Sequence, residues 1–221
     1  MFKALLNNIL GDKFKDRRIN DEIFSIFDTE TTGLNTDTDR ICSFAGVKAT
    51  SNKVLKDTLV NQYINPKIPI PLRSSRIHGI YDFHVTYEPV IEDFEDTIVS
   101  FLQGSIICGH NINFDFLFFK REFKKKIINQ ILKDQPIIDT LYLSAALFPE
   151  LQSYELSYLC EKFNIKLEKR HTALGDTLMT ADLLLYLLQE ALGRNITTIS
   201  EIIKLTKSTQ KLNLTQLQVL N

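Results

Sequence analysis

Apolar residues recur along this chain with two different periods, and each change of period marks where one kind of element gives way to another. Ile23, Phe24, Ile26 and Phe27 open an apolar run of the length expected for a buried strand, and Gly33, Asn35 and residues 37–39 turn the chain straight after it. Residues 41–50 (ICSFAGVKAT) and 53–64 (KVLKDTLVNQYI) are rich in β-branched and aromatic residues, which predicts two further strands joined by a turn at Ser51 and Asn52. Residues 65–80 carry three prolines and Gly79 and read as a long ordered loop or a short helix. After Pro89, the positions Val90, Phe94, Ile98, Phe101 and Leu102 follow helical spacing, with the proline in an allowed first turn.

The second half alternates more quickly. SIICG (105–109) is a wholly apolar strand, and FDFLFFKREF begins a helix that Asn111 or Asn113 can cap. A strand at 136–139 is followed by helices from Thr140, through SYELSYLCEKF, and from about His171 to Leu192. Strands first and helices alternating afterwards predict an α/β fold, a mixed sheet with helices packed on it. Residues 1–20 form an extension with a short amphipathic helix, 21–193 the main domain, and 194–221 a last helix that becomes a flexible, polar tail after Lys207.

Composition narrows the class. With 221 residues, 44% of them hydrophobic, the chain can bury one large core. A net charge of −1 means that any nucleic-acid contact must come from local basic patches. Cys42, Cys108 and Cys160 are scattered and form no CxxC pair, so neither a disulfide scaffold nor a zinc site is expected. MFKALLNNIL is too short, and too soon followed by charge, for a signal peptide, and no apolar run reaches membrane length. The expected compartment is a reducing cytoplasm.

Three clusters carry candidate chemistry. Asp28 and Glu30 sit at i and i+2 on the first strand, so they share a face at its carboxyl end, where open α/β sheets bind ligands. Two acids so close need a cation, a proton or solvent to coexist. GHNINFDFLFF (109–119) places Asp115 in the first turn of its helix, and HTALGDTLMTADLLL (171–185) places His171 five residues before Asp176 on an otherwise apolar helix. Hard oxygen ligands suit Mg²⁺ or Mn²⁺, and several converging acids can hold two ions roughly 3.5–4 Å apart. An imidazole nearby can take the proton of a metal-bound water, which together describes a phosphodiester hydrolase.

FDTETTG, GHNxxFDxxFF and HxALxD, in this order, resemble the three motifs of the DnaQ-like 3′→5′ exonucleases of the DEDDh type, over roughly residues 22–192. The resemblance implies an RNase H-like fold with a mixed five-stranded sheet flanked by helices. It implies Asp28, Glu30, Asp115 and Asp176 as ligands of two Mg²⁺ or Mn²⁺ ions and His171 as general base. IHGI (77–80) resembles the family's loop motif, which implies His78 facing the terminal nucleotide, with Thr31 and Thr32 and their amides beside its base and sugar. The implied substrate is a single-stranded or frayed 3′ end of DNA, and the implied setting is proofreading as an epsilon-type subunit of a replicative polymerase III. A stand-alone DNase or RNase, and a binding module without chemistry, are the alternatives; the intact four acids and His171 argue against the last.

Two departures touch the substrate side: Thr177 stands where many relatives carry alanine, and Arg73 where the epsilon-type pattern has an acid. In the basic run before His171, Lys169 and Arg170 are candidates for steering the phosphate backbone, ahead of the run 120–126. His110 and Asn111 read as structural, His84 as a surface residue, Asp139 as a helix cap and Asp182 as exposed. QKLNL (210–214) faintly resembles the peptide by which replication proteins bind the sliding clamp, and an incidental amphipathic tail is the favoured reading.

Overall fold

The structure, a computed structural model, describes residues 17–123, 131 and 135–213. Five strands, β1 (Phe24–Thr31), β2 (Ile41–Ala49), β3 (Val54–Tyr63), β4 (Ile106–Gly109) and β5 (Ile137–Asp139), join in the order β3-β2-β1-β4-β5. The first three are antiparallel neighbours, whereas β4 and β5 run parallel to β1. This is the mixed five-stranded sheet that the pattern predicts. The Thr50 amide donates to the Lys53 carbonyl at 3.0 Å, closing the expected hairpin at Ser51 and Asn52. Among the described residues the helices are α1 (Leu72–His78), α2 (Asp82–Val85), α3 (Ile91–Leu102), α4 (Asn113–Glu122), α5 (Thr140–Leu147), α6 (Leu156–Lys162), α7 (Ala173–Gly193) and α8 (Ile199–Asn213).

Alternation along β1 divides the core in two. Phe24 and Ile26 join Val47 and Cys108 beneath α7, which brings down Leu183, Leu184, Leu187 and Leu188. Phe27 points the other way and stacks on Phe44 and Phe119 at ring-centroid distances of 5.7 and 5.3 Å, under Ile98 and Leu102 of α3. Ile19 and the α8 residues Ile199, Ile202 and Ile203 belong to the α7 side of the core, and the Ile19 amide donates to the Thr197 carbonyl at 2.9 Å. The segment just before β1 and the start of α8 are therefore packed onto the same sheet.

The structure departs from the sequence reading at three element ends. Pro89 lies just outside α3, whose N-cap is Val90, and its carbonyl accepts instead from the Asn65 amide at 2.9 Å. Neither Asn111 nor Asn113 caps α4: the N-cap is Ile112, with no side-chain bond, and Asn111 takes the left-handed conformation (φ 58°). The Asn111 amide reaches Asp139 at 2.9 Å, and the same carboxylate caps α5 through the Leu141 amide at 3.0 Å, the role expected of Asp139. Finally, α8 continues to Asn213, past Lys207. The Ser208 and Thr209 hydroxyls donate back to the Leu205 carbonyl at 2.7 and 3.1 Å, so polar residues stay inside the helix.

The amphipathic helix expected in the first residues, positions 124–126 of the basic run and Leu214 of QKLNL lie outside the described residues. Among the described residues no helix is long and apolar enough to cross a membrane.

Candidate active site

Three of the four predicted acids converge. Asp28 and Glu30 leave β1 on its α7 side, and Asp176 comes down to meet them from the first turn of α7. Each is half-buried, and one ligand atom from each lies within 4.8 Å of the others. Burial pushes the Asp28 carboxyl well above the usual range, with Asp115, Glu30 and Asp176 adding to it. Glu30 is pushed up to about 8, by burial first and then by Asp176 and Asp115. Asp176 is raised by burial, against the opposing pull of His171 and Arg170. Three hard oxygen donors, crowded so that they resist ionising together, form a donor set that a divalent cation fits.

Asp115 approaches from the other side. It lies in the first turn of α4, where one carboxylate oxygen accepts from the Thr29 amide at 3.1 Å and the Thr29 hydroxyl at 2.5 Å. Thr29 points to that side because it alternates with Asp28 and Glu30. Burial lifts Asp115 to about 7, with the two Thr29 bonds pulling down. It still reaches the cluster through its charge, as its effects on Asp28 and Glu30 show.

His171 occupies a left-handed turn (φ 54°) immediately before Thr172, the residue that caps α7 by accepting from the Gly175 amide at 3.1 Å. It is exposed, and its proximity helps to hold the Asp176 carboxyl down against burial. The Lys169 carbonyl accepts from the Thr172 hydroxyl at 2.7 Å and lies so close to Gly175 that a Cβ there would run into it. The loop that carries His171 is thus fastened to the helix that carries Asp176. The side chains of Lys169 and Arg170 are exposed, and Arg170 lines the same hollow as His171 and Asp176.

That hollow has a volume of about 340 Å³ and also takes in His110, Tyr154 and Met179. His110 is half-buried and held near 4 by burial of its ring, with Nδ1 2.9 Å from the Thr140 hydroxyl. It is the structural residue that the sequence suggested, and it forms a wall of the site as well.

The loop after β1 is tightly built. The Thr31 hydroxyl donates to the Gly33 carbonyl at 2.6 Å, the Thr32 amide to the Arg40 carbonyl at 2.9 Å, and the Thr32 hydroxyl to the buried Asp39 at 3.0 Å. The hydroxyls of Thr31 and Thr32 and the Thr32 amide thus serve the loop itself. Gly33 packs so closely on the Asp39 carboxylate that no side chain fits there. Arg121 of α4 donates to the carbonyls of Thr36 and Asp39 at 2.9 and 2.7 Å, and Glu122 accepts from the Ile41 amide at 2.9 Å. His78 is buried, with Nδ1 accepting from the Ile80 amide at 3.0 Å and Nε2 finding no hydrogen-bond partner among the described residues. Ser74 of the same helix donates to the Thr32 carbonyl at 2.7 Å, which seats α1 beside the end of β1.

Sequence reasoning missed Thr29, Asp39 and Arg121. The alternation of β1 could have flagged Thr29, but Arg121 meets its partners across more than eighty residues and leaves no local signal. Thr177, the departure noted beside Asp176, is buried and donates to the Ala45 carbonyl at 3.1 Å, so its hydroxyl ties α7 to β2. Asp182 is exposed, as expected, and His84 is half-buried among aromatic rings.

Residues 25–184 match the model of a family described as Exonuclease. A DNA polymerase III subunit epsilon-like protein of Rhodobacter capsulatus is 35% identical over 183 residues, which cover 81% of this chain and 26% of that protein. A PolC-type DNA polymerase III of Bacillus subtilis is 33% identical over 81% of this chain and 12% of its own length. The chain thus spans only a minor part of these relatives. Exonuclease X in complex with 5′-overhanging duplex DNA superposes with a TM-score of 0.62 at 25% identity, covering 83% of this chain and 99% of that one. The zinc-bound form of the E. coli exonuclease I complex with single-stranded DNA superposes with a TM-score of 0.67 at 22% identity, over 79% of this chain and 42% of the other. The sheet and its helices are those of the RNase H-like fold.

Proposed function

The chain belongs to the exonuclease family, and from that premise we propose that it removes nucleotides from single-stranded or frayed 3′ ends of DNA, 3′→5′, releasing 5′-mononucleotides. The observation that carries this reading is the convergence of Asp28, Glu30 and Asp176 at the end of β1. With Asp115 beside them, these residues would hold two Mg²⁺ or Mn²⁺ ions, which when bound lower the pKa of a water and stabilise charge on a phosphate. The chain's own groups do the rest. His171, exposed at the rim and fixed in place by Thr172, accepts the water's proton at an imidazole nitrogen. Arg170, and Lys169 beside it, attract the phosphate backbone to the hollow. Arg121 and Asp39 keep the loop after Glu30 in one shape, so that Thr31, Thr32 and His78 present a fixed wall to the terminal nucleotide.

The kinship with polymerase III proteins supports a proofreading role beside a replicative polymerase in the cytoplasm. The test is degradation of 5′-labelled single-stranded DNA, mismatched-end duplex and RNA in Mg²⁺, with Asp28→Ala as control. A ladder that shortens from the 3′ end, fastest on frayed DNA and absent in the variant, is expected. Faster cleavage of RNA, or an Asp28→Ala protein of undiminished activity, would overturn it.

A further inference from the structure

Between β3 and α3 the surface carries aromatic rings that no catalytic role uses. Phe83 is 73% exposed and Tyr87 98%, although a ring left in water gains nothing for the fold. Phe83 is not isolated. Its ring lies 4.1 Å from His84 and 5.7 Å from Tyr81, and His84 in turn stacks on Tyr63 at 5.7 Å with the planes 24° apart. The Tyr81 amide donates to His84 Nδ1 at 3.1 Å, which fixes the imidazole in the middle of the row. Beneath, Ile80 and Val85 pack on Cys42 and Ile70 and anchor the segment to the start of β2.

The register of the sheet says where this row begins. Glu30 is paired with Ser43 and Ser43 with Tyr63. Residues directly opposite across antiparallel strands share a face, so Tyr63 stands on the same face as Glu30, two strands away. At about 4.8 Å per strand that is about 10 Å along the sheet from the acid cluster. The row then leads outward through His84 to Phe83. Beside it α1 bears exposed Arg73 and Arg76 and no acid within its span.

We propose that Tyr63, His84 and Phe83 form a stacking platform for the bases of the single strand on the 5′ side of the nucleotide being removed. This rests on the exonuclease reading above and adds to it how the strand is held. The rings begin on the face of the sheet that bears Glu30, and Arg73 and Arg76 stand near them together with Asp82 and Glu88; stacking surfaces continuous with the acid-bearing face suit the bases of a strand whose end lies at that face.

The experiment compares wild type, Phe83→Ala and Phe83→Trp, as full chains in Mg²⁺, on a dinucleotide and on single-stranded DNA of about twelve nucleotides. Loss of one stacked base should raise the KM for the longer strand about tenfold. The dinucleotide, too short to reach Phe83, should be cut at the wild-type rate, and Phe83→Trp should restore the longer strand. An unchanged KM on the longer strand overturns the platform. Equal losses on both substrates overturn it too, since the ring then supports the fold. An unchanged KM together with lost binding to a replicative polymerase subunit would assign the rings to a protein interface instead. Should wild type cut neither substrate, the exonuclease reading fails, and the platform is then judged by fluorescence anisotropy of the same labelled strand, which Phe83→Ala must weaken.

Discussion

The two sides of β1 treat their acids in opposite ways. On the α7 side, Asp28, Glu30 and Asp176 crowd together, and each is lifted by burial. On the α4 side, Asp115 is buried too, yet the amide and hydroxyl of Thr29 are aimed at one of its oxygens. The first arrangement is costly without a cation; the second also bears a burial cost, which lifts Asp115 to about 7, but two hydrogen bonds from Thr29 offset part of it. The contrast teaches that the four acids of one motif set need not be equivalent in the apoprotein. Three wait for a counter-charge, and one is held in position beforehand.

Asp28→Asn sharpens this contrast most. It should lower the exonuclease rate about 10³-fold or more, since the residue would hold an ion whose polarisation of water and phosphate is worth several kcal/mol. The same variant should melt higher than wild type in chelator at pH 8, because one repelling carboxylate is gone, and Mn²⁺ should reverse the order. A metal-free Asp28→Asn that melts lower than wild type would show that the cluster is not strained.

Asp115→Leu should behave in the opposite way. It leaves the buried Thr29 amide and hydroxyl unpaired, a loss of about 1–3 kcal/mol, so the melting temperature should fall by about 2–10 °C in chelator and Mn²⁺ alike. Thermal melts of both variants side by side would break the comparison if they shifted in the same direction.

Glu122 gives the smallest and most graded effect. It accepts one amide bond, from Ile41, yet burial pushes its carboxyl up to about 7, with Arg40 opposing. A carboxyl raised on folding binds its proton more tightly in the folded state. Its contribution is therefore whole below the unfolded value near 4.5 and is lost as pH rises through about 7. Glu122→Gln should gain on wild type across that window, by no more than a few degrees because the group is only half-buried. A gap in melting temperature that does not change between pH 4.5 and 8 would remove Glu122 from the set of strained acids.

Much of this was legible in the sequence, and the limits follow from how far apart the partners lie. Apolar runs, β-branched and aromatic content and the turn residues between them located β1 to β5 and α7, because burial on one or both faces constrains which residues fit. Asp28 and Glu30 fell on one face by the geometry of a strand, and their meeting with Asp176 was implied by the resemblance to a known family. What local pattern could not supply was the side from which α4 approaches, and hence the separate seat of Asp115. Asn111 looked like a cap, but a left-handed turn and the reach of Asp139 took its amide elsewhere. The joint between Arg121 and residues 36–39 was invisible for a plainer reason: an arginine at the end of a helix usually faces water.

One strand thus serves as the dividing wall between two unlike chemistries, with consequences for how such a gene can drift. Point changes in β1 act on one side at a time. Insertion or deletion of a single codon between Phe24 and Asp28 would instead turn the rest of the strand over, sending both acids into the cluster of phenylalanine rings and Thr29 toward α7. Substitutions can accumulate around this strand, but its length upstream of the acids is under a constraint that no compensating substitution nearby can relieve.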